Sequence, residues 1–301
     1  MGALLIPWFL AQEAEEDVGG VPGKASDKDG DYAVHLLFDK QRQNMTITDR
    51  FVVNFLDDVL HGSTRKQASN LQFVRGFILG KAVPDNVRYI AATNDVKHMA
   101  GTVKAIEPFK SSFTCIYHAI ADHPFWEKWA INSGLVRPEI IAYLHSNPHA
   151  LDMFEPSVSL TNSPSPRTWC HASDMLAICE QVGADEYHQR VSVEGAIGAP
   201  QTVQLFAFKE MLDKAVTPQI ILADPRGANV PDNVSVMYAV SLAVCNIVET
   251  VEMAEYAMQY ARRLPAEFEA LIVGQLCQKI PGAKVTNEYI NYTAKQAQTI
   301  L

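Results

Sequence analysis

The sequence predicts an α/β part followed by an all-helical part, on three observations. Continuous β-prone runs at 51–56 (FVVNFL), 87–93 (VRYIAAT) and 113–120 (FTCIYHAI) alternate with helical patterns in residues 1–122. That order is expected of parallel strands joined by crossover helices. The runs are apolar without polar alternation, as in strands buried on both faces. From residue 123 to 301, apolar residues recur at helical spacing and prolines punctuate the segments.

Taken in order, residues 3–10 (ALLIPWFL) have strand character, with Pro7 interrupting them. Residues 19–31 are rich in Gly, Asp and Lys and read as a loop, and 32–38 (YAVHLLF) as a further strand. A helical pattern runs over 64–78 through Leu71, Phe73, Val74 and Phe77. Beyond residue 122, Trp126, Trp129, Ile140, Ile141 and Leu144 mark the first helices, and 168–182, 200–214, 234–262 and 266–279 carry later ones. The pair Trp126 and Trp129 is expected to pack the sheet against the helical part.

Composition excludes several classes. The 301 residues can bury a sizeable core, and 48% hydrophobic with 20% charged residues is ordinary globular usage. A net charge of −9 argues against non-specific nucleic-acid clamping, which needs excess Lys and Arg. Five cysteines without C-x-x-C spacing give a zinc site no support, and buried free thiols in a reducing cytoplasm are expected. The apolar N-terminal stretch is too short to span a membrane and runs into acids, so a soluble, cytoplasmic protein is expected.

The most informative segment is FVVNFLDD, Phe51 to Asp58. Four of the six residues before Asp57 are Val or Phe, and two carboxylates follow. Open α/β sheets bind ligands outside the carboxyl ends of their strands. One acid there can hold Mg²⁺ through water, and the other can orient or deprotonate an attacking water. Asp is also a common turn residue, so on this segment alone a polar strand end is the simpler reading. VRYIAATN ends in Asn94, whose amide could bond both a terminal phosphate and a water.

FVVNFLDD, then Gln67-Ala68 and LQFVRGFILG, then VPDNVRYIAATN, is similar in order and spacing to the MoxR-like AAA+ ATPases of bacteria and phages. PEIIAYLHSNPHALDMFEP (138–156) resembles their lid-entry helices and SPSPRTW (163–169) their sensor-2 segment. ILADP (221–225) and YARRLPAEFEALIV (260–273) resemble their C-terminal helices. The resemblance covers roughly residues 9 to 285. It implies a partial P-loop NTPase sheet over 1–122, a helical lid over 123–301, and ATP and Mg²⁺ as cofactors. Asp57 would be the acid linked to Mg²⁺, and Asp58 would take the catalytic acid position, where the family more often has the longer Glu. Asn94 would be sensor 1 and Arg167 sensor 2, its planar fork suited to phosphate oxygens. Partners would be like subunits in a ring and a protein client.

Two departures stand out. The phosphate cradle G-x-x-x-x-G-K-[ST] is absent. GVPGKAS, Gly20 to Ser26, is too short between its glycines and matches a later family segment, so Lys24 reads as a solvated loop lysine. By the resemblance, the first strand and P-loop would lie upstream of Met1. The acidic strand would then lack a neighbour and leave an open apolar edge. At the expected arginine-finger position stands Ser112, with Lys110 nearby.

Other constellations carry less. His145 and His149 have i, i+4 spacing, but Pro148 separates them. There is no G-x-S-x-G elbow and no G-x-G-x-x-G turn. Glu249, Glu252, Glu255, Arg262 and Arg263 read as the solvated face of one long helix. Two functions stay open: an ATPase subunit that remodels a protein client, and a degenerate, non-hydrolysing homologue acting in binding or assembly.

Overall fold

The computed structural model describes residues 2–9, 21–22, 32–33, 49–61, 63–78, 81–98, 101–156 and 160–300. The chain divides into two units, Met1–Ala119 and Ile120–Leu301.

The first unit is built on a three-stranded parallel sheet. Strand β1 (Leu4–Phe9) pairs with β4 (Val52–Asp57), and β4 pairs with β7 (Val87–Ala91). Two short ribbons, β2 (Val21–Pro22) with β3 (Tyr32–Ala33) and β5 (Phe77–Ile78) with β6 (Lys81–Ala82), account for the remaining strands among the described residues. Pro7 is tolerated because β1 is an outer strand among the described ones. Leu4 N donates to Phe51 O at 2.8 Å, so by strand alternation residue 7 turns its missing donor away from β4.

Helix α1 (Thr64–Val74) crosses from β4 to β7 and packs Leu71 and Val74 on Ile6, Trp8, Val52, Leu56 and Val87. Asn54 lies among these apolar residues and is fully buried. Its Oδ1 accepts a hydrogen bond from Trp8 Nε1 at 3.0 Å, tying β1 to β4 through side chains. Burial pushes the neighbouring Tyr89 phenol up to about 12, while the Asn54 side chain pulls the other way. Gln67 on α1 donates to Lys104 O at 3.3 Å and accepts from Ile106 N at 3.0 Å, holding the approach to α2 (Glu107–Lys110).

Three expectations for this unit need correction. The acidic strand is central among the described strands, since β1 and β7 flank it. Residues 113–120 form no strand. They run as turn and irregular chain, with Ile116, Tyr117 and Ile120 at 60%, 86% and 84% exposure. A β-prone run needs a partner strand, and among the described residues none pairs with it. The helical pattern over 64–78 stops at Val74, because Gly76 takes a positive φ of 80° and Phe77 opens the β5–β6 hairpin. Of the strand expected over 32–38, Tyr32 and Ala33 are β; the rest, like Lys24, lies outside the described residues.

The second unit is helical: α3 (His123–Ser133), α4 (Pro138–Ser146), α5 (Pro166–Gln181), α6 (Glu186–Ile197), α7 (Ala199–Leu212), α8 (Pro218–Ala223), α9 (Val234–Ile247), α10 (Val251–Ala261), α11 (Ala266–Lys279) and α12 (Asn287–Ile300). Side-chain caps define many of the starts: Asp122, Ser165, Asp185, Thr217, Asn233 and Thr250 each accept from a backbone N–H three residues on. Helix α4 is buried at every position from Ile140 to Leu144, the mark of a central helix.

Three corrections apply here. The pattern over 234–262 is two helices, because Val248 is extended and Thr250 caps a new start. Trp126 is buried in the core of the helical unit itself, and Trp129 is 45% exposed. Arg262 and Arg263 are engaged: Arg262 pairs with Glu288 at 2.9 Å, and Arg263 donates to Pro225 O at 3.0 Å and Ala228 O at 2.6 Å. Among the cysteines, Cys179, Cys245 and Cys277 are buried, Cys170 is half-buried, and Cys115 is exposed. Among the described residues, no helix is long and apolar enough to cross a membrane.

His145 pairs with Glu127 at 2.7 Å and stacks on Tyr238 at 3.8 Å. Tyr238 also donates to Glu127 at 2.7 Å, so one carboxylate ties α3, α4 and α9 together. Burial pushes the Glu127 carboxyl up, but the hydrogen bonds from His145 and Tyr238 outweigh it and hold it below the usual range. A carboxyl depressed by folding adds stability above its unfolded value and loses it as pH falls through the folded one. Glu127→Gln is therefore expected to lower the unfolding midpoint at neutral pH. The gap from wild type should close as pH falls below about 4, measured by thermal unfolding across pH.

Candidate functional site

The parallel pairing of β4 and β7 brings two predicted features to one end of the sheet. Asp57 ends β4, one residue past the Leu56–Ala91 pair, and Asn94 follows β7 by three residues. Backbone bonds interlock the two exits: Ala92 N donates to Leu56 O at 2.9 Å and Val59 N to Ala92 O at 3.2 Å. Asp57 and Asp58 are part-exposed and Asn94 is exposed, so all three polar groups can meet a ligand from solvent.

Among the described residues, Asp58 is the one non-glycine residue with positive φ, at 53°. This left-handed conformation costs about 1–2 kcal/mol in an ordinary L-residue and less in Asp. It turns the chain sharply after β4, and the next backbone group stays engaged: Asp58 N donates to Asp57 Oδ1 at 3.1 Å. Asp57 Oδ1 is thus oriented. His61 comes back beside the turn, its Nδ1 3.4 Å from Asp58 Oδ1, and His61 N donates to Asp58 O at 2.9 Å. Sequence reading did not single out His61, although its i+3 spacing after an acid at a strand end signals such a return.

Mg²⁺ takes one or two carboxylates and otherwise water and phosphate oxygens. Asp57, a part-exposed carboxylate with one oxygen held by backbone, fits that demand. Among the described residues, no group of three or more His, Cys, Asp or Glu side chains gathers to enclose a metal. A phosphate cradle is a different matter, because the sequence has no G-x-x-x-x-G-K-[ST] to supply its amides.

Past Asn94, Lys97 N donates to Asp95 Oδ1 at 3.4 Å, and this bond leads the causes that hold the Asp95 carboxyl below its usual range. At the expected finger position, Ser112 donates to Pro108 O at 2.7 Å, and Lys110 is bound to Glu107. Arg75, from the end of α1, reaches Ser112 Oγ at 3.4 Å. It brings a guanidinium to that position from elsewhere in the chain, which local sequence could not reveal.

Arg167 belongs to the second unit. Ser165 and Thr168 form a capping box, Pro166 occupies the first helical position, and Arg167 follows, exposed. Trp169 anchors this turn, fully buried with its Nε1 donating to Ala150 O at 2.8 Å. A cation in a first turn opposes the helix dipole by about 0.3–1 kcal/mol. Arg167 is therefore mildly unfavourable to the helix dipole where it stands, exposed in the first turn.

Compared with known proteins, the chain matches no family model, no characterised protein and no solved structure.

Proposed function

We propose that this chain carries the acidic and sensing parts of an AAA+ ATPase module of the MoxR-like kind, whose hydrolysis is coupled to remodelling of a protein client. The observation that carries the reading is the acidic strand end. β4 is the central strand of a parallel sheet, and its two carboxylates stand beside the Asn94 exit of the adjacent β7. Asp57 would hold a hydrated Mg²⁺, which screens phosphate charge when bound. Asp58 would orient or deprotonate the attacking water, Asn94 would bond it and the terminal phosphate, and Arg167 would meet phosphate oxygens. Like subunits in a ring would be its partners.

A second reading, a non-hydrolysing binding or assembly subunit, is favoured by one observation. The phosphate cradle is missing from these residues, and two sensors and two acids cannot replace its amides. Both readings expect weak ATP binding by the chain alone, with Kd near or above about 1 mM, or about −4 kcal/mol. Calorimetry with Mg²⁺ on wild type and Asp57→Asn tests this. Measurable binding that weakens in the variant supports the ATPase site. Tight Mg²⁺-dependent binding contradicts the missing grip, and equal binding by both proteins removes Asp57 from the site.

A further inference from the structure

Three helices of the second unit end at one place. Gly134 takes a positive φ of 64° and stops α3. Val248 is extended and stops α9. Ile280 is extended ahead of Pro281 and stops α11. The last turns of these helices line a cleft of about 300 Å³, together with the start of α4. Its floor is formed by Ala130, Val136, Ile141, Leu242 and Cys245, all buried. Burial pushes the Cys245 thiol up to about 12, so it packs as an apolar group and not as a nucleophile. An apolar floor with a few convergent polar groups is the make-up of a binding pocket, and this volume is at the small end of the range. It suits one anchoring side chain and its flanks, not a large cofactor.

Charge and hydrogen-bonding groups say what fits. Lys279 Nζ donates to Cys245 O at 3.1 Å and to Asn246 O at 2.6 Å, so its ammonium serves the last carbonyls of α9. Each helix end carries about half a unit of negative charge, and three ends together outweigh that one ammonium. An anion is therefore disfavoured, and a second cation would meet Lys279. A neutral ligand remains. Among the described residues that line the cleft, none is acidic and none is aromatic, so a flat ring finds no stacking partner. The rim carries four carboxamides, Asn132, Asn246, Gln275 and Gln278. Among the described residues, none hydrogen-bonds these side chains. Each offers two donors and an acceptor. An extended peptide presents the matching set, an N–H and a C=O on either side of every side chain.

We infer that this cleft is a receptor site for an uncharged, extended peptide segment of a partner protein. One aliphatic side chain of that segment rests on the Ile141–Leu242 floor, and the four carboxamides hold the backbone on either side of it. The site uses no residue of the acidic strand end, so it stands or falls apart from the nucleotide reading. The test is a titration of the full chain with acetylated, amidated pentapeptides whose Ser and Gly flanks surround a varied central residue. It is followed on backbone amide and side-chain NH₂ resonances. Leu, Ile, Val or Met at the centre should shift the NH₂ resonances of Asn132, Asn246, Gln275 and Gln278. Gly, Asp, Lys or Phe there should bind at least about tenfold more weakly. The double variant Asn246→Ala, Gln278→Ala changes two exposed positions and removes two of the amide contacts. It should bind the Leu peptide about tenfold more weakly, with resonances far from the cleft unchanged. Shifts centred elsewhere, no saturable shift, or a preference for a charged or aromatic centre would overturn the inference. So would tighter binding of peptides with a free carboxylate than of amidated ones, or unchanged affinity in the double variant.

Discussion

Trp169→Ala is expected to destabilise the helical unit by about 3–5 kcal/mol, the cost of removing a large buried aromatic side chain. Three losses combine. The side chain is fully buried, so its removal leaves a cavity. It packs against Tyr143, with ring centroids 5.5 Å apart. Its Nε1 satisfies Ala150 O, and the carbonyl of a nearly buried residue loses that donor. At about 2–4 °C per kcal/mol for a domain of this size, the midpoint should fall by about 10 °C. Trp169→Phe should recover much of the packing and none of the hydrogen bond. Thermal unfolding by circular dichroism decides it; a loss below about 1 kcal/mol would mean that the first turn of α5 is not anchored there. Because that turn carries Arg167, the same variant should loosen the stance of the guanidinium.

Leu56→Ala is expected to cost the first unit about 2–5 kcal/mol. Leu56 is fully buried on the covered face of the central strand, and its carbonyl accepts from Ala92 N. The residue after it is Asp57, so a cavity here is expected to perturb the site through the exits of β4 and β7. Hydrogen exchange at Ala92 should speed up in the variant; unchanged exchange there would separate the core from the site.

Much of this architecture was legible because local chemistry and tertiary context agreed. FVVNFL reads as a strand and supplies the central one, although its residues are buried alternately and not on both faces. Ala266–Lys279 was read at its observed bounds. The failures came where a single residue or a distant partner decided. Gly76 cut the helical pattern before Phe77, and Thr250 split one apolar run into α9 and α10. Residues 113–120 have strand composition but, among the described residues, no strand to pair with, which no local pattern can report. Helix α6 went unread because its apolar positions are sparse, with Val193, Ala196 and Ile197 buried near its end. At the site, Asp57, Asp58 and Asn94 were legible from their strand ends. The positive φ of Asp58, the return of His61 and the reach of Arg75 to Ser112 needed the backbone path.

The most direct test of the acidic strand end is paramagnetic broadening by Mn²⁺ in place of Mg²⁺, with ATP at millimolar concentration, on the amide resonances of the full chain. The amides of Asp57, Asp58 and Asn94 should broaden first, and Asp57→Asn should abolish the effect. Broadening centred elsewhere, or persisting unchanged in Asp57→Asn, would contradict the assignment of this strand end as the metal–nucleotide site.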